Sequence, residues 1–344
     1  MNKNPVILLD EGSGGGASQR LLGEMFFRHF GLESKEMDDA ALLYGGVEVP
    51  HGLAVSTDSF TVEPLEFPGG DIGCLAVYGS VNDVAMLGAK PEFLSCAFIM
   101  EEGLERELLE RVVASMAQAA KRAGVSIVTG DTKVVPRGAA DRLFINTTGI
   151  GRVLTPDPPR GKKARSGDAV LISGSLGDHG LTILAGRENL GLSSELRSDC
   201  APLNHMVEAL LRELPEVHVL RDPTRGGLAA TLNEIAAQSG VLCELEEKSI
   251  PVRGPVRDAS SILGLDPLYL ANEGKLICIL PMASAGRALE IMRAFPEGSE
   301  AAQIGKVMEA EQGRGKAGQV VLRTALGGRR LLAMPEGAQL PRIC

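Results

Sequence analysis

The 344-residue sequence has few aromatic residues, no concentration of positive charge and no long hydrophobic run. Aromatic residues make up only 3% of it, and 35 Lys and Arg against 44 Asp and Glu give a net charge of −9. Because basic blocks and basic-aromatic interleaving are both missing, we expect no nucleic-acid partner. No apolar run approaches the roughly 20 residues of a membrane-spanning helix, and the N-terminus has neither a signal nor a transit pattern. We therefore predict a cytoplasmic protein without a membrane partner.

Common motifs for metal and nucleotide sites are also missing. The six cysteines are scattered, with no C-x-x-C pair and no neighbouring His cluster, which argues against a zinc site. No G-x-x-x-x-G-K-[ST] phosphate loop occurs. A glycine loop at residues 12–17 resembles a dinucleotide fingerprint, but the second strand with its closing acidic residue does not follow. The loop either covers phosphates with its backbone N–H groups or has no function.

What the sequence does contain is typical of a globular protein, with 44% hydrophobic and 23% charged residues. Strand and helix patterns are interspersed, so we predict an α/β (α+β) fold of two domains. Proline and charge concentrate at TPDPPRGKK, as in a linker. The predicted parts are an N-terminal domain at 1–154, a linker at 155–166, a C-terminal domain at 167–333 and a mobile tail at 334–344. The main predicted strands are 5–10, 53–57, 93–99, 125–130, 143–150, 169–173 and 276–280, and the main helices are 20–30, 105–122 and 228–238.

The tail ends in a cysteine, and a thiol at the end of a chain can reach chemistry sited elsewhere. Pro335 and Pro341 favour extended backbone, and Gly337 leaves a hinge between them. Fully extended, the 11 residues of the tail span roughly 36–40 Å, enough to reach a cleft in the same chain or in a neighbour. Cys344 is the only cysteine that we expect outside any core. It is either an accident of a frayed end or a mobile reactive thiol.

Four aspartates recur in one kind of setting. Asp58 and Asp131 directly follow buried-strand patterns. Asp39 follows a polar turn, and Asp83 lies in a stretch of small residues. Carboxylates at strand ends are suited to hard cations, since Mg²⁺ takes oxygen ligands and bridges to substrate phosphates. Taken alone, each aspartate is better explained as a turn or cap residue, but the four together favour a Mg²⁺-nucleotide site.

Two ionisable residues are candidates for the chemistry beside such a site. Lys133 closes the sequence TGDTK and could neutralise transferring oxygens, act as a base, or simply be a solvated lysine. Glu273 precedes a glycine at the start of a predicted strand. It is a general base if desolvation raises its pKa, or otherwise an ordinary turn residue.

The second half carries one further motif, RDPTRGG at residues 221–227, which leads into a predicted helix. A glycine pair that opens a helix, preceded by arginine, suits an anion at the helix N-terminus. The alternative is a tight loop capped by Thr224. His179 has no partner that the sequence identifies, so we predict a turn or cap role for it.

These motifs together resemble the HypE family of hydrogenase maturation proteins. The resemblance spans nearly the whole chain and is carried by DDAA, STD, GDIG, SVNDVA, TGDTK, RDPTRGG and the terminal PRIC. Most of these motifs are shared with a wider ATP-using superfamily of aminoimidazole ribonucleotide synthetase (PurM), thiamine-monophosphate kinase and selenophosphate synthetase. The cysteine-ended tail is what indicates the HypE branch. A selenophosphate synthetase would carry a reactive Cys or selenocysteine near its N-terminus, and residues 11–18 have none.

The resemblance implies a two-domain PurM-like ATP-binding architecture with a flexible C-terminal tail, assembled as a homodimer through the N-terminal domain. It also implies ATP and Mg²⁺ as cofactors and a carbamoyl dehydratase activity. A carbamoyltransferase partner would load a carbamoyl group on the Cys344 sulfur. The tail would dock into the ATP site, where ATP phosphorylates the carboxamide oxygen and dehydration gives a thiocyanate. The cyanide would pass to iron on a scaffold complex for the nickel-iron hydrogenase centre.

The roles that the resemblance implies fall on residues that match the family motifs. Cys344 would be the covalent carrier, with Lys133 and Glu273 near the carboxamide. The metal and nucleotide positions would be Asp39, Asp58, Asp83 and Asp131, with Asn82, Thr132, Gly226 and Gly227 as further nucleotide contacts. Whether Lys133 or Glu273 is the base, and whether the tail acts in its own chain or in a neighbour, stays open. Glu11 stands where many relatives have histidine, so no role is assigned to it.

Other functions use the same carboxylates. An ATP-dependent synthetase or kinase of a small phosphorylated metabolite would need the metal site but not the tail. A nucleotide-binding scaffold would bind ATP to dock its maturation partners and perform no chemistry.

Overall fold

The computed structural model describes residues 8, 11, 15–27, 29, 38–44, 49–188, 190–191, 195–309, 315–337, 340 and 342–344. The predicted strand at 5–10, apart from Leu8, and the first glycines of the predicted loop lie outside the described residues. The predicted helix at 20–30 is a short α-helix, α1 (Gly16–Leu21), followed by a π-helical segment (Leu22–Phe27).

The N-terminal half is built around a five-stranded sheet with the order β1-β2-β7-β5-β6. Only β5 and β6 pair in parallel; the other neighbours are antiparallel. The elements are β1 (Ala41–Leu43), β2 (Leu53–Phe60), β3 (Glu66–Phe67), β4 (Gly70–Asp71), α2 (Ile72–Met86), β5 (Ala89–Glu101), α3 (Arg106–Ala123), β6 (Ser126–Val135) and β7 (Leu143–Val153).

Two helices close one face of this sheet. The side chain of Asp71 caps α2 by accepting from the backbone N–H of Cys74 at 2.9 Å, and almost every residue of α2 is buried. α3 is amphipathic and buries one stripe, which includes Val112 and Met116, against α2. It ends at Gly124 in the left-handed conformation, which confirms the predicted helix and its C-terminal glycine.

The C-terminal half contains a seven-stranded sheet with the order β14-β13-β10-β12-β8-β11-β9, in which only β10 and β13 pair in parallel. Its elements are β8 (Asp168–Ile172), α4 (Asp178–Arg187), α5 (Asn204–Glu213), β9 (Val219–Arg221), α6 (Gly227–Ser239), β10 (Leu242–Glu246), α7 (Gly254–Leu263), β11 (Ile277–Pro281), α8 (Ala285–Arg293), β12 (Ala302–Met308), β13 (Gln319–Arg323) and β14 (Arg329–Leu331).

Helices pack on both faces of the larger sheet, so its central strands are apolar along their whole length. All five residues of β8 are buried. Alternate residues of β8 belong to two separate hydrophobic clusters: Val170 and Ile172 pack on the α6 side, and Ala169 and Leu171 pack on the side of α5 and α8. These observations confirm the predicted mixed α/β fold. No helix among the described residues is long and apolar enough to cross a membrane.

The strands that carry the candidate aspartates are longer than the sequence pattern indicates. Asp58 and Asp131 lie inside β2 and β6 and not at their ends. β2 continues because Phe60, two residues beyond Asp58, is buried and pairs with Ile145 of β7. β6 continues because it pairs with β5 as far as Val135. The prediction that both carboxylates stand at strand ends is therefore wrong.

Candidate functional site

The end of the tail lies against the segment that follows β2 and is hydrogen-bonded to it through the backbone. One oxygen of the Cys344 main-chain carboxylate accepts from the backbone N–H of Thr61 at 3.1 Å and from its hydroxyl at 3.2 Å. Two residues back, the carbonyl of Arg342 accepts from the backbone N–H of Glu63 at 3.4 Å and from the guanidinium of Arg187. The carbonyls of alternate residues therefore point to the same side, as they do in a β-strand.

The residue between them faces the other way. The carbonyl of Ile343 accepts from Nε2 of His179 at 2.6 Å, and the Ile343 side chain is only 6% exposed within the hydrophobic cluster of the N-terminal half. Cys344 is partly buried and packs against the same cluster. The expectation that Cys344 lies outside any core is thus wrong for the docked tail.

Arg342 anchors the tail backbone. Its Nε donates to the carbonyl of Thr61 at 3.0 Å, and its guanidinium forms an ion pair with Asp141. Its φ of 54° lies in the left-handed region, which non-glycine residues adopt rarely. The positive charge that acts on the thiol comes from another residue, Arg225.

The Cys344 thiol lies where its charged form is disfavoured. Burial raises its pKa to about 12; Arg225 opposes this increase, while Glu273, Asp58 and Asp83 add to it. The charge of Cys344 is in turn the largest cause of the raised pKa of Arg225. The docked sulfur is therefore a neutral thiol among acidic groups and is not an activated nucleophile.

The structure brings three of the four predicted metal-binding aspartates together. Burial is the main cause of the raised pKa of Asp39 and of Asp83. The negative charges of their acidic neighbours raise both pKa values further. Asp58 is among the acidic neighbours of Asp83, and its own pKa is raised mainly by burial. Ser56 links the cluster, since its Oγ lies 2.6 Å from Oδ2 of Asp83 and 3.1 Å from the carbonyl of Asp39.

A fourth acid in this cluster, Asp222, was not predicted. Burial raises its pKa to about 6, with Asp58 adding to the increase and Arg221 opposing it. It also raises the pKa of Asp39, Asp83 and Glu273. Asp222 lies inside the RDPTRGG motif, which was interpreted through its glycines and arginines, so the signal was present in the sequence.

The cluster has the chemistry of a divalent cation site. Oδ1 of Asp39 pairs with Arg221 at 2.7 Å, but no described residue donates to its buried Oδ2. Buried carboxylates that raise one another's pKa are stabilised by a cation. Within the described part of the chain, no three His, Cys, Asp or Glu side chains are arranged to hold a metal ion by themselves. Mg²⁺ uses one or two carboxylates together with phosphates and water, and only in such a set could these aspartates take part.

Glu273 is held next to this cluster by its own backbone. Its N–H donates to Oδ1 of Asp199 at 3.1 Å, and the N–H of Gly274 donates to Oδ2 of the same carboxylate at 3.2 Å. Asp199 is neutralised by the buried Lys275 at 3.4 Å. The Glu273 side chain is only 4% exposed, and its Oε1 receives no hydrogen bond from any residue that the structure describes. Burial and the charges of Asp222, Asp199 and Asp58 raise its pKa well above the usual range.

Asn82 supports the same loop and does not present free polar groups to it. Its Nδ2 donates to the carbonyls of Ala201 at 3.1 Å and Glu273 at 3.4 Å, and its Oδ1 accepts from the N–H of Leu203 at 2.8 Å. Asn82 therefore holds the backbone of Glu273. The structure gives it no contact that identifies a nucleotide.

The predicted glycine pair stands at the N-terminus of α6. Gly226 has a φ of 77° and Gly227 a φ of 60°. A Cβ on Gly227 would lie 2.5 Å from the carbonyl oxygen of Leu270, so both the backbone conformation and the close approach require glycine. Nearby, the N–H of Gly16 donates to the carbonyl of Pro335 at 3.0 Å, which places the start of the tail beside the N-terminal glycine segment.

The remaining predicted residues, Asp131, Thr132 and Lys133, lie on β6, an exposed edge strand. Two strands separate β6 from β2, so their backbones are about 14 Å apart. The register aligns Asp131 with Ser59 and not with Asp58, so Asp131 points to the opposite face of the sheet from Asp58. Lys133 is ion-paired with Asp131. One chain therefore does not bring these residues to the acidic cluster.

The fold and the site agree with what the chain is similar to. Residues 37–153 match the family model described as AIR synthase related protein, N-terminal domain, and residues 165–318 match AIR synthase related protein, C-terminal domain. The carbamoyl dehydratase HypE of Azotobacter vinelandii is 51% identical over 343 residues, which are 99% of this chain and 98% of that protein.

Solved structures agree. The crystal structure of hydrogenase maturation protein HypE in complex with ATP has a TM-score of 0.84 at 60% identity and covers 98% of this chain and 100% of that one. A HypE–HypF complex has a TM-score of 0.85 at 46% identity, with coverages of 92% and 99%.

The fold thus defines a member of the AIR synthase related, or PurM-like, class of proteins. Within this class, the chain belongs to the HypE family of carbamoyl dehydratases. The resemblance inferred from the motifs and the predicted PurM-like architecture are confirmed. The domain boundaries, the mobility of the tail and the roles of single residues stay predictions.

Proposed function

We propose that the protein dehydrates a carbamoyl group carried on the sulfur of Cys344 and so produces a thiocyanate that supplies cyanide to the nickel-iron hydrogenase centre. The observation that carries this proposal is the docked tail. It places Cys344 where the thiol feels the charges of Arg225, Glu273 and two aspartates of the acidic cluster. A metabolite kinase would have no use for a carrier in its own chain at that position. The names of the similar proteins support the same reaction.

ATP would supply the phosphoryl group that makes the carboxamide oxygen a leaving group, and Mg²⁺ would offset the charge on its phosphates. Among the residues of this chain, Asp39, Asp58 and Asp83 would hold the cation. Arg225, exposed beside the cleft and coupled to Cys344, would orient the group on the sulfur. The carbon–oxygen bond then breaks, so that the activated oxygen leaves as part of inorganic phosphate, while the nitrogen gives up its two protons. A carbon–nitrogen triple bond remains on sulfur.

Glu273 is the base that the geometry of one chain favours for those nitrogen protons. A carboxylate with a raised pKa accepts a proton more readily than an ordinary one, and the dry surroundings of Glu273 suit an elimination. It also acts directly on Cys344, whose pKa it raises. Lys133 lies on the exposed β6, so it can take part only if something brings β6 to a cleft.

We propose that a second copy of the chain does this, in a homodimer. The outward face of the N-terminal sheet exposes Phe93 at 46%, Ile99 at 43% and Ile150 at 37%, and it also carries Asp131 and Lys133. Apolar residues grouped on one open sheet face are typical of an interface. A twin packed on this face would bury them and bring each copy's Lys133 close to the other copy.

The dimer is tested by light scattering. Ile99→Asp should convert a dimer to monomers, whereas Ile262→Asp, an equally apolar residue that is 76% exposed on α7, should not. A monomeric wild-type protein would contradict the proposal. Mixing Lys133→Ala with Cys344→Ala chains then shows where Lys133 works, since water loss returns only if Lys133 acts across the interface.

Two partners are proposed. A carbamoyltransferase would load Cys344, and a HypE–HypF complex among the similar structures supports such a contact. An iron-carrying scaffold complex would then receive the cyanide. Because the docked Cys344 is partly buried, both exchanges require the tail to leave the cleft.

The function is tested by mass spectrometry of the C-terminal peptide. Carbamoylated protein given MgATP should lose the mass of one water from the fragment that contains Cys344. Loss of phosphate from ATP without that change would favour the nucleotide-binding scaffold. Turnover of a small phosphorylated metabolite by Cys344→Ala would favour the kinase or synthetase.

A further inference from the structure

We propose that His179 is a positioning residue for the carrier: its Nε2–H holds the carbonyl of Ile343 and so, together with Arg342, sets the register in which the tail docks beside the acidic cluster. Its importance for catalysis rests on the proposed function, whereas its effect on docking does not. The hydrogen bond is short, 2.6 Å, and joins the second residue of α4 to the penultimate residue of the chain.

The hydrogen bonds around the ring fix its tautomer. A carbonyl oxygen can only accept, so Nε2 must carry the proton towards Ile343. Nδ1 must then accept, and the hydroxyl of Ser198 lies 2.8 Å from it. The same hydroxyl oxygen accepts from the N–H of Cys200 at 3.1 Å, which leaves its own hydrogen to point at the ring. Each donor and each acceptor in this series of hydrogen bonds therefore has a single role.

The ring itself has no freedom to turn. His179 is fully buried, and the ring of Phe67 meets it edge-on at 5.6 Å and 87°. Burial lowers the pKa of His179, so the ring is neutral, as the tautomer requires. Ser198 is held in turn, because its N–H donates to the carbonyl of Pro68 at 2.8 Å. The donor to Ile343 is therefore preorganised before the tail arrives.

The backbone bonds along the other edge of the tail do not fix its register by themselves. Thr61 and Glu63 bond alternate tail residues through the backbone, and such bonds can form equally well after a slip of two residues. A slip of one residue would put the Ile343 side chain on the wrong face. A slip of two residues would break the ion pair between Arg342 and Asp141, and a slip of one would turn a tail N–H towards the donor of His179. His179 and Arg342 together therefore select the register that leaves Cys344 at Arg225 and Glu273.

The same loop also positions the proposed base. Ser198 fixes His179, while the next residue, Asp199, holds the backbone of Glu273 and Gly274. The carrier and the group that would take its protons are thus aligned from adjacent residues of one short segment. This common support predicts that the loss of the His179 contact misplaces the carrier and leaves the base in position.

The test measures how fast Cys344 reacts with N-ethylmaleimide in the full chain at neutral pH without ATP, with labelled peptides resolved by mass spectrometry. His179→Phe keeps an aromatic ring against Phe67 but removes the donor. Leaving a buried carbonyl without its partner shifts an equilibrium by roughly five- to hundredfold, so we expect labelling to accelerate by about that factor. His179→Gln, whose amide nitrogen can replace Nε2, should restore much of the protection. His205→Phe is the matched control, because His205 also bonds a carbonyl, that of Arg122 at 3.0 Å, but does not touch the tail.

A wild-type labelling rate in a His179→Phe protein with an unchanged melting temperature would overturn the proposal. In case that variant does not fold, ¹⁵N NMR of histidine in the unsubstituted protein gives an independent answer. The full chain should show His179 protonated at Nε2 and not at Nδ1, and a chain ending at Arg342 should shift those signals. The opposite tautomer, or signals indifferent to the truncation, would overturn it equally.

The effect of His179 on catalysis is measured in a separate experiment. In carbamoylated His179→Phe protein, water loss should be slower than in the unsubstituted protein, because less of the tail is docked in the productive register. Unchanged water loss with faster labelling would show that His179 holds the tail without positioning it for reaction, and would refute the proposal. If wild-type protein loses no water at all, the proposed function fails, while the labelling and NMR results still decide the docking role of His179.

Discussion

Raising the pH should release the tail from its cleft. Docking raises the pKa of Cys344 from an ordinary value of 9.0 to about 12, mainly through burial and then through nearby carboxylates. The docked state therefore holds the thiol proton more tightly than the free tail does. Its contribution to docking is fully present below pH 9 and is lost as the pH rises towards 12. Each pH unit in that window weakens docking about tenfold, or about 1.4 kcal/mol, and the whole shift corresponds to about 4 kcal/mol.

The assay compares two pH profiles of labelling by N-ethylmaleimide, measured in EDTA without nucleotide. A free peptide with the terminal sequence LPRIC should react faster with rising pH and level off near pH 9, when its thiol is fully ionised. The protein should react more slowly below pH 9 and should continue to accelerate about tenfold per unit above it, because each increment of pH also frees more tail. Readings from pH 7 to 10.5 cover the informative range.

The pH profiles of the protein and the peptide are compared to test the prediction. If the protein levels off at the same pH as the peptide, docking does not depend on the thiol proton, and the acidic surroundings inferred for Cys344 are wrong. If the protein reacts as fast as the peptide at pH 7, the tail is not docked at all. The melting temperature at each pH separates release of the tail from general unfolding.

Three other changes have distinct expected outcomes. Glu273→Gln should slow water loss by at least about a hundredfold, as expected for a lost general base, and normal turnover would remove Glu273 from the mechanism. Truncation after Leu340 removes the buried Ile343 and should cost no more than about 1.5–3 kcal/mol, so the chain still folds and melts a few degrees lower; a collapse of the melting transition would contradict this. Gly227→Ala should lower the free energy of unfolding in urea by more than Gly138→Ala. Both glycines have a positive φ, but a Cβ at Gly227 would meet the carbonyl of Leu270, whereas no atom of the described residues lies within 4 Å of a Cβ at Gly138. Equal losses of stability would mean that the carbonyl of Leu270 does not obstruct the added Cβ.

The motifs predict the family and much of the secondary structure because they are local signals. A glycine in the left-handed conformation ends α3 at Gly124, and the apolar runs of β8 and β11 are visible without any tertiary information. The ends of β2 and β6 were missed because pairing with β7 and β5 decides them, and a sequence window does not contain a partner strand.

The site could be predicted only in part for the same reason. The sequence predicts Asp39, Asp58 and Asp83 as site residues, and they do converge. It does not predict Asp222, because the prediction for that motif rests on its glycines and arginines. His179 was predicted to be a turn residue because its partners, Ser198 and Ile343, are 19 and 164 residues away. Contacts between residues so far apart in the sequence depend on the topology of the fold and cannot be predicted from local sequence patterns.

The way in which the tail is held suits a carrier that must both dock and leave. Ordering the last three residues costs about 3–6 kcal/mol of backbone entropy, and fixing the Arg342 and Ile343 side chains adds about 3. Against this stand about six hydrogen bonds that contribute about 1 kcal/mol each and the burial of Ile343, which contributes about 2. The gain exceeds the cost by up to about 2 kcal/mol, so docking is favoured but reversible, and the loss of a single contact shifts it. Cys344 is then released by any one of three changes: ionisation of its thiol, loss of the donor at His179, or a partner that competes for the backbone of the tail.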